Sequence, residues 1–225
     1  WEDTIFVTSA ISAGEEPDPI PGLYDPGDDN GATRSVENHR WIVYNIDFVT
    51  GAVRWERELH SAAPGIARHI KNSFASETPV TDGRRVYAYF GSAGVVGALN
   101  MSGETVWTAD LGAFETTGGF GSAASPTLHG DRLYIVNDNV TASFMVALDK
   151  NNGEELWRVN TAATPDQVGG DTWGGLPRSA RRHGSAWMVG SYDPALNLVY
   201  WGTGPPAPLP ETLRGAGKAD LLFTN

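Results

Sequence analysis

Val146-Ala147-Leu148-Asp149-Lys150-Asn151-Asn152-Gly153-Glu154-Glu155-Leu156-Trp157 is the stretch on which the reading of this chain turns. An apolar run closed by Asp, a turn holding Gly, and a second run ending on Trp make the pattern of a β-hairpin. Asp bonds the turn backbone, Gly supplies the positive φ, and Trp offers a large flat surface to a neighbouring unit. The pattern recurs upstream at Val43-Tyr44-Asn45-Ile46-Asp47 with Gly51 and Trp55, and at Val96-Gly97-Ala98-Leu99-Asn100 with Gly103 and Trp107. Trp55, Trp107 and Trp157 thus return about every 50 residues, the period of a four-stranded propeller blade.

A second strand pair precedes the hairpin in two copies. Thr78-Pro79-Val80-Thr81-Asp82-Gly83-Arg84-Arg85-Val86-Tyr87 and Ser125-Pro126-Thr127-Leu128-His129-Gly130-Asp131-Arg132-Leu133-Tyr134 share the Pro-to-Tyr spacing. A third such pair falls at Asp193-Pro194-Ala195-Leu196-Asn197-Leu198-Val199-Tyr200, with no Gly/Trp hairpin after it. The expectation is an all-β propeller of four-stranded antiparallel blades, with about four blades of a larger ring in this chain. Residues 1–225 are expected to be a single partial domain, its blades ending near Trp55, Trp107 and Trp157 and its last blade truncated. Residues 11–40 and 169–175 break the period and are predicted to be loops, where binding groups are usually carried.

Composition agrees with a turn-dense β-protein. Of 225 residues 27 are Gly, well above the usual ~7%. Acidic residues outnumber basic ones 27 to 16, for a net charge of -11. A phosphate backbone would be repelled, so nucleic acid is not an expected partner. The absence of Cys excludes disulfides, thiolate nucleophiles and Cys-held metals. No apolar run approaches the ~18 residues of a membrane helix, so no transmembrane segment is expected. The opening Trp1-Glu2-Asp3, where a start Met or signal peptide would stand, reads as the inside of a longer protein.

The hairpin pattern Ala147, Asp149, Gly153, Trp157 resembles the tryptophan-docking repeat of propellers that bind pyrroloquinoline quinone (PQQ). The first copy departs from it with Asn45 for Ala, and the second with Asn100 for Asp and one fewer turn residue. Gly170-Asp171-Thr172-Trp173-Gly174-Gly175-Leu176-Pro177, then Ala186-Trp187, then the run from Gly190 to Gly204, is similar to the cofactor-holding region of PQQ-dependent alcohol and sugar dehydrogenases. The resemblance implies a fragment of an enzyme that oxidises a small alcohol or sugar by hydride transfer to the quinone. It also implies Ca2+ as second cofactor, a cytochrome or quinone as electron acceptor, and a periplasmic location.

Residue by residue, the resemblance makes Trp187, six positions before Asp193, the floor under the quinone ring, and makes Trp173 and Thr172 further cofactor-binding candidates. Asp138, eleven positions before Asp149, stands where the family has a metal-ligating Glu. Pro205 stands where the alcohol dehydrogenases have a metal-ligating Asn, and proline has no side-chain oxygen to offer. The family's catalytic Asp would lie beyond Asn225. Arg178, Arg181, Arg182 and His183 form a basic island suited either to the quinone's carboxylates or to a solvated loop. The acids at 15, 16, 18, 25, 28 and 29 lack calcium-loop spacing, and the five His lack zinc spacing. Because the repeat also occurs in lipoprotein scaffolds of outer-membrane protein assembly, a non-catalytic propeller that binds proteins is the alternative function.

Overall fold

Each blade hairpin forms because its Asx residue closes the turn. In the first, Asp47 Oδ1 accepts from the Val49 and Thr50 N–H groups at 3.0 and 2.7 Å. In the second, Asn100 Oδ1 accepts from Ser102 and Glu104 at 3.0 and 2.9 Å. In the third, Asp149 Oδ1 accepts from Asn151 at 2.7 Å. Gly51, Gly103 and Gly153 follow at φ of 73°, 84° and 79°, a region in which a side chain is strained.

The computed structural model describes residues 1–15, 32–141, 143–161, 163–168, 170–177, 180–183, 190–200, 202, 204, 206 and 207. The strands in chain order are β1 (Thr4–Ser12), β2 (Ala32–Thr33), β3 (His39–Asp47), β4 (Val53–Ala62), β5 (Arg68–His69), β6 (Val80–Thr81), β7 (Arg85–Phe90), β8 (Val95–Asn100), β9 (Thr105–Asp110), β10 (Thr127–His129), β11 (Arg132–Asn137), β12 (Phe144–Asp149), β13 (Glu155–Asn160), β14 (Arg182–His183), β15 (Ser191–Asp193), β16 (Leu198–Tyr200) and β17 (Pro206–Ala207). They form antiparallel blades: β1-β3-β4, β6-β7-β8-β9 and β10-β11-β12-β13, with smaller pairs β2-β5, β14-β17 and β15-β16. The Asp193–Tyr200 repeat is the β15-β16 hairpin, with Asp193 opposite Leu198.

Two predicted loops contain more structure than their composition suggests. Within 11–40, β1 runs on to Ser12 and β3 begins at His39, the two pairing in register from Thr4↔Asp47 to Ser12↔His39. A Gly- and acid-rich composition between two strands hides their ends. Within 169–175, Gly170–Trp173 is a short 3-10 turn.

The chain divides into two compact units, Trp1–Ile135 with Val146–Trp157, and Val136–Met145 with Arg158–Asn225. In the first unit the core joins Trp41, Val43, Phe74, Val86, Ala88, Phe90 and Leu99, with Phe6, Trp55 and Leu59 packed against it. Each fully buried large apolar side chain of this kind contributes about 1.5–3 kcal/mol. Trp41 is anchored by its indole N–H, which donates to Phe74 O at 2.9 Å and Ser92 Oγ at 3.0 Å.

Blade-to-blade docking in this unit explains why the repeat pairs Gly with Trp. Trp55 donates to Met101 O at 3.0 Å and its ring lies 2.7 Å from where a Cβ on Gly103 would be. Trp107 donates to Lys150 O at 2.9 Å and its ring lies 2.6 Å from the same point on Gly153. Trp55 and Trp107 therefore each sit on the glycine of the next blade's turn, which must lack a side chain to receive the ring. Asn45, opposite Trp55 in the ladder as Ala98 is opposite Trp107, is 4% exposed with Oδ1 unpartnered among the described residues. That is the cost of departing from the repeat's Ala.

Candidate functional site

The second unit contains the segment that the sequence singled out. Its backbone is tightly wound: Gln167 N–H donates to Thr164 O at 3.0 Å, Gly170 N–H to Gln167 O at 2.8 Å, and Leu176 N–H to Trp173 O at 3.1 Å. Gly170 is obligatory here, since a Cβ would come within 2.1 Å of Thr164 O. Gly174 and Gly175 take φ of 59° and 80°, turning the chain back after Trp173. The turn delivers Trp173 to the interior, where it is 0% exposed.

Arg181 lies over Trp173, its guanidinium carbon 5.8 Å from the ring centroid. The side chain is 7% exposed. Its Nε donates to Leu176 O at 2.7 Å and one Nη to Ala163 O at 3.1 Å. Burial disfavours its charge and lowers its pKa from the ordinary arginine value. The indole N–H of Trp173 has no acceptor among the described residues. A buried cation and an orphaned donor on one aromatic ring form a donor-rich site. That chemistry fits an acceptor-rich, anionic planar group such as PQQ.

The other sequence candidates fare differently. Thr172 is half-buried next to Trp173. Asp138 is half-buried, its Oδ1 accepting from Ser143 Oγ at 2.9 Å, while its neighbour Asn139 donates to Asn137 Oδ1 at 2.8 Å. Among the described residues no three His, Asp or Glu side chains converge. Asp138 is thus a single carboxylate with no described cluster of acids or imidazoles around it. Trp187 and Pro205, the side chains of Arg178, Arg182 and His183, and the acids at 16, 18, 25, 28 and 29 lie outside the described residues. Of the basic island, Arg181 is the member seen at Trp173.

Sequence reasoning missed Glu77, in the first unit. It is 1% exposed; its Oε1 accepts from Gly91 N–H at 3.0 Å and from Ser122 Oγ, while Oε2 has no partner among the described residues. Burial pushes its carboxyl above the usual range, against the hydrogen bonds of Ser122 and Gly91, which act the other way. An acid directly before the Thr-Pro that leads into β6 was the available signal.

Residues 38–174 match the family model described as outer membrane protein assembly factor BamB. The chain is 30% identical to methanol dehydrogenase [cytochrome c] subunit 1 of Methylorubrum extorquens over a 152-residue alignment that takes in 54% of this chain and 22% of the relative. It is 32% identical to the corresponding subunit of Methylobacterium organophilum over 148 residues, 52% of this chain and 22% of that one. The chain therefore spans about a fifth of the length of these relatives. Among solved structures, quinohemoprotein alcohol dehydrogenases share the fold. That of Pseudomonas putida HK5 has a TM-score of 0.59 at 20% identity, covering 83% of this chain and 30% of its own. That of Comamonas testosteroni has 0.59 at 19%, covering 86% and 32%. No helix among the described residues is long and apolar enough to cross a membrane. With its Gly-Trp docking, its four-stranded blades and the match over 38–174, the chain belongs to the PQQ-repeat family of β-propellers, as a partial chain related to the PQQ-dependent dehydrogenases.

Proposed function

We propose that this chain is part of a PQQ-dependent dehydrogenase that oxidises a small alcohol or sugar. The observation that carries the reading is the 30% and 32% identity to two methanol dehydrogenase subunits. When bound, the quinone supplies the hydride acceptor. This chain's part is to bind and orient it. Trp187 provides an aromatic floor for the ring, and Trp173 and Thr172 are further cofactor-binding residues. The proton-accepting carboxylate and the electron acceptor, a cytochrome or a quinone, belong to the whole protein. The family resemblance also supports a periplasmic location and a Ca2+ requirement, with Asp138 as the one ligand this chain proposes and Pro205 unable to act as another.

The second reading is a protein-binding scaffold without turnover. It is supported by the matched family model, whose description is an outer-membrane assembly factor. Dye reduction by the full-length protein with PQQ, Ca2+ and an alcohol separates the two, since a scaffold gives no turnover.

Trp187→Ala tests the site directly. In the full-length protein it is expected to weaken PQQ binding more than tenfold, from lost stacking of about 0.5–1.5 kcal/mol plus lost apolar contact. Trp157→Ala, in the blade-packing register, is expected to lower stability and leave the affinity of the folded fraction nearly unchanged. Titration of PQQ by Trp fluorescence quenching reads both, and equal affinities for Trp187→Ala and the parent would place the site elsewhere.

A further inference from the structure

We infer that Arg181 and Trp173 form a receptor for a carboxylate group. Two independent features point the same way. The Arg181 guanidinium is 7% exposed, and its described hydrogen bonds go to the neutral carbonyls of Leu176 and Ala163. Among the described residues no carboxylate pairs with it: Asp171 is exposed, and Asp166 accepts from Thr164 Oγ at 2.6 Å. A buried charge left without a counter-charge is costly, and the ring of Trp173 at 5.8 Å compensates it only in part. The second feature is the Trp173 indole N–H, fully buried and without an acceptor among the described residues.

Both groups are donors, so a metal ion or an amine would aggravate the site and an acceptor would complete it. A negative charge is needed to offset the guanidinium, and a singly charged planar group offsets it without excess. A carboxylate meets both conditions, and its two oxygens match the arginine fork. The two carbonyls already hold Nε and one Nη, so the fork is oriented before any ligand arrives. The carboxylate can come from a free small organic acid or from PQQ, whose ring bears carboxylates. The second source rests on the dehydrogenase reading; the receptor does not.

The test uses the full-length protein with benzoate, and separately PQQ, as probes at constant ionic strength. Calorimetric titration is expected to show saturable benzoate binding that chloride does not reproduce. Arg181→Gln should weaken it at least tenfold and Trp173→Phe, which keeps an aromatic ring and removes the N–H, several-fold. Arg84→Gln, an exposed arginine of the first unit, should leave it unchanged. Because Arg181→Gln could fail to fold, the parent is also followed by NMR, where the Trp173 indole N–H resonance, assigned from Trp173→Phe, should move downfield on benzoate addition. PQQ that competes with benzoate identifies the cofactor as the source. Benzoate binding without PQQ competition keeps the receptor and assigns it to a free acid, and leaves the dehydrogenase reading to the Trp187→Ala titration. No saturable benzoate binding by the folded parent, an unmoved indole resonance, or equal affinity in a folded Arg181→Gln would overturn the receptor.

Discussion

Gly51 and Gly153 occupy the same turn position with the same sign of φ, 73° and 79°, yet differ in what surrounds them. A Cβ on Gly153 would lie 2.6 Å from Trp107, whereas one on Gly51 would meet nothing within 4 Å. Gly51→Ala should therefore cost only the left-handed backbone penalty of about 1–2 kcal/mol, and Gly153→Ala distinctly more, because Trp107 must also move. Urea denaturation midpoints read the difference, and equal losses would contradict the docking account. Glu77 makes a second prediction at this scale. Its carboxyl is raised by burial, so the folded state favours the neutral form. Stability from this group is complete below its unfolded pKa of about 4.3 and is lost as pH rises through the higher folded value. Glu77→Gln should remove that loss, so its stability relative to the parent should grow between pH 5 and 8. A constant difference across that range would show that the Glu77 carboxyl is not raised in the folded state.

At the scale of one element, the β3–β4 hairpin carries its own electrostatic clasp. Arg54 pairs with Asp3 at 2.9 Å and Asp47 at 2.5 Å, and Asp47 also accepts from Thr50. The hydrogen bond from Arg54 is the largest cause that holds both Asp3 and Asp47 below the usual carboxylate range, and Arg54 is raised in return. Depressed acids contribute stability that is complete above about pH 4 and lost as pH falls towards their folded values. The group is solvent-exposed, so the contribution is small. Arg54→Gln should flatten the loss of stability between pH 5 and 2, seen in thermal melts. An unchanged acid limb would assign that loss to other carboxylates.

Across the molecule, what repeats is not one residue but the relation between neighbouring blades. Trp55 reaches Met101 O and Gly103; Trp107 reaches Lys150 O and Gly153. The acceptor shifts by one position relative to the glycine because the second hairpin has one fewer turn residue. Trp107, 8% exposed, ties the middle blade to the next turn, and Arg85 reinforces the same join through Lys150 O and Asn151 O at 3.2 and 3.0 Å. Trp107→Ala should cost about 3–5 kcal/mol in global unfolding, as for a large aromatic removed from a packed site. A loss below ~1 kcal/mol, the range of an ordinary surface change, would show that blade docking does not depend on it.

The hairpins, their turns, the period of the blades and the family were legible from Asp149, Gly153, Trp157 and their counterparts, because turn chemistry and strand alternation act over a few residues. β1 was not, since its partner β3 begins only at His39 and nothing local announces a pairing across that distance. Thr172 and Trp173 were marked by resemblance, but the sequence could not show that Trp173 would be fully buried with no acceptor for its N–H among the described residues. Nor could it show where the Arg181 side chain would go. The tertiary structure carries the Arg181 guanidinium over the Trp173 ring and into contact with the carbonyls of Leu176 and Ala163. Likewise Glu77 became a buried acid only when Gly91 and Ser122 closed over it. Burial and partnership depend on residues distant in the chain, so the tertiary structure alone decided them.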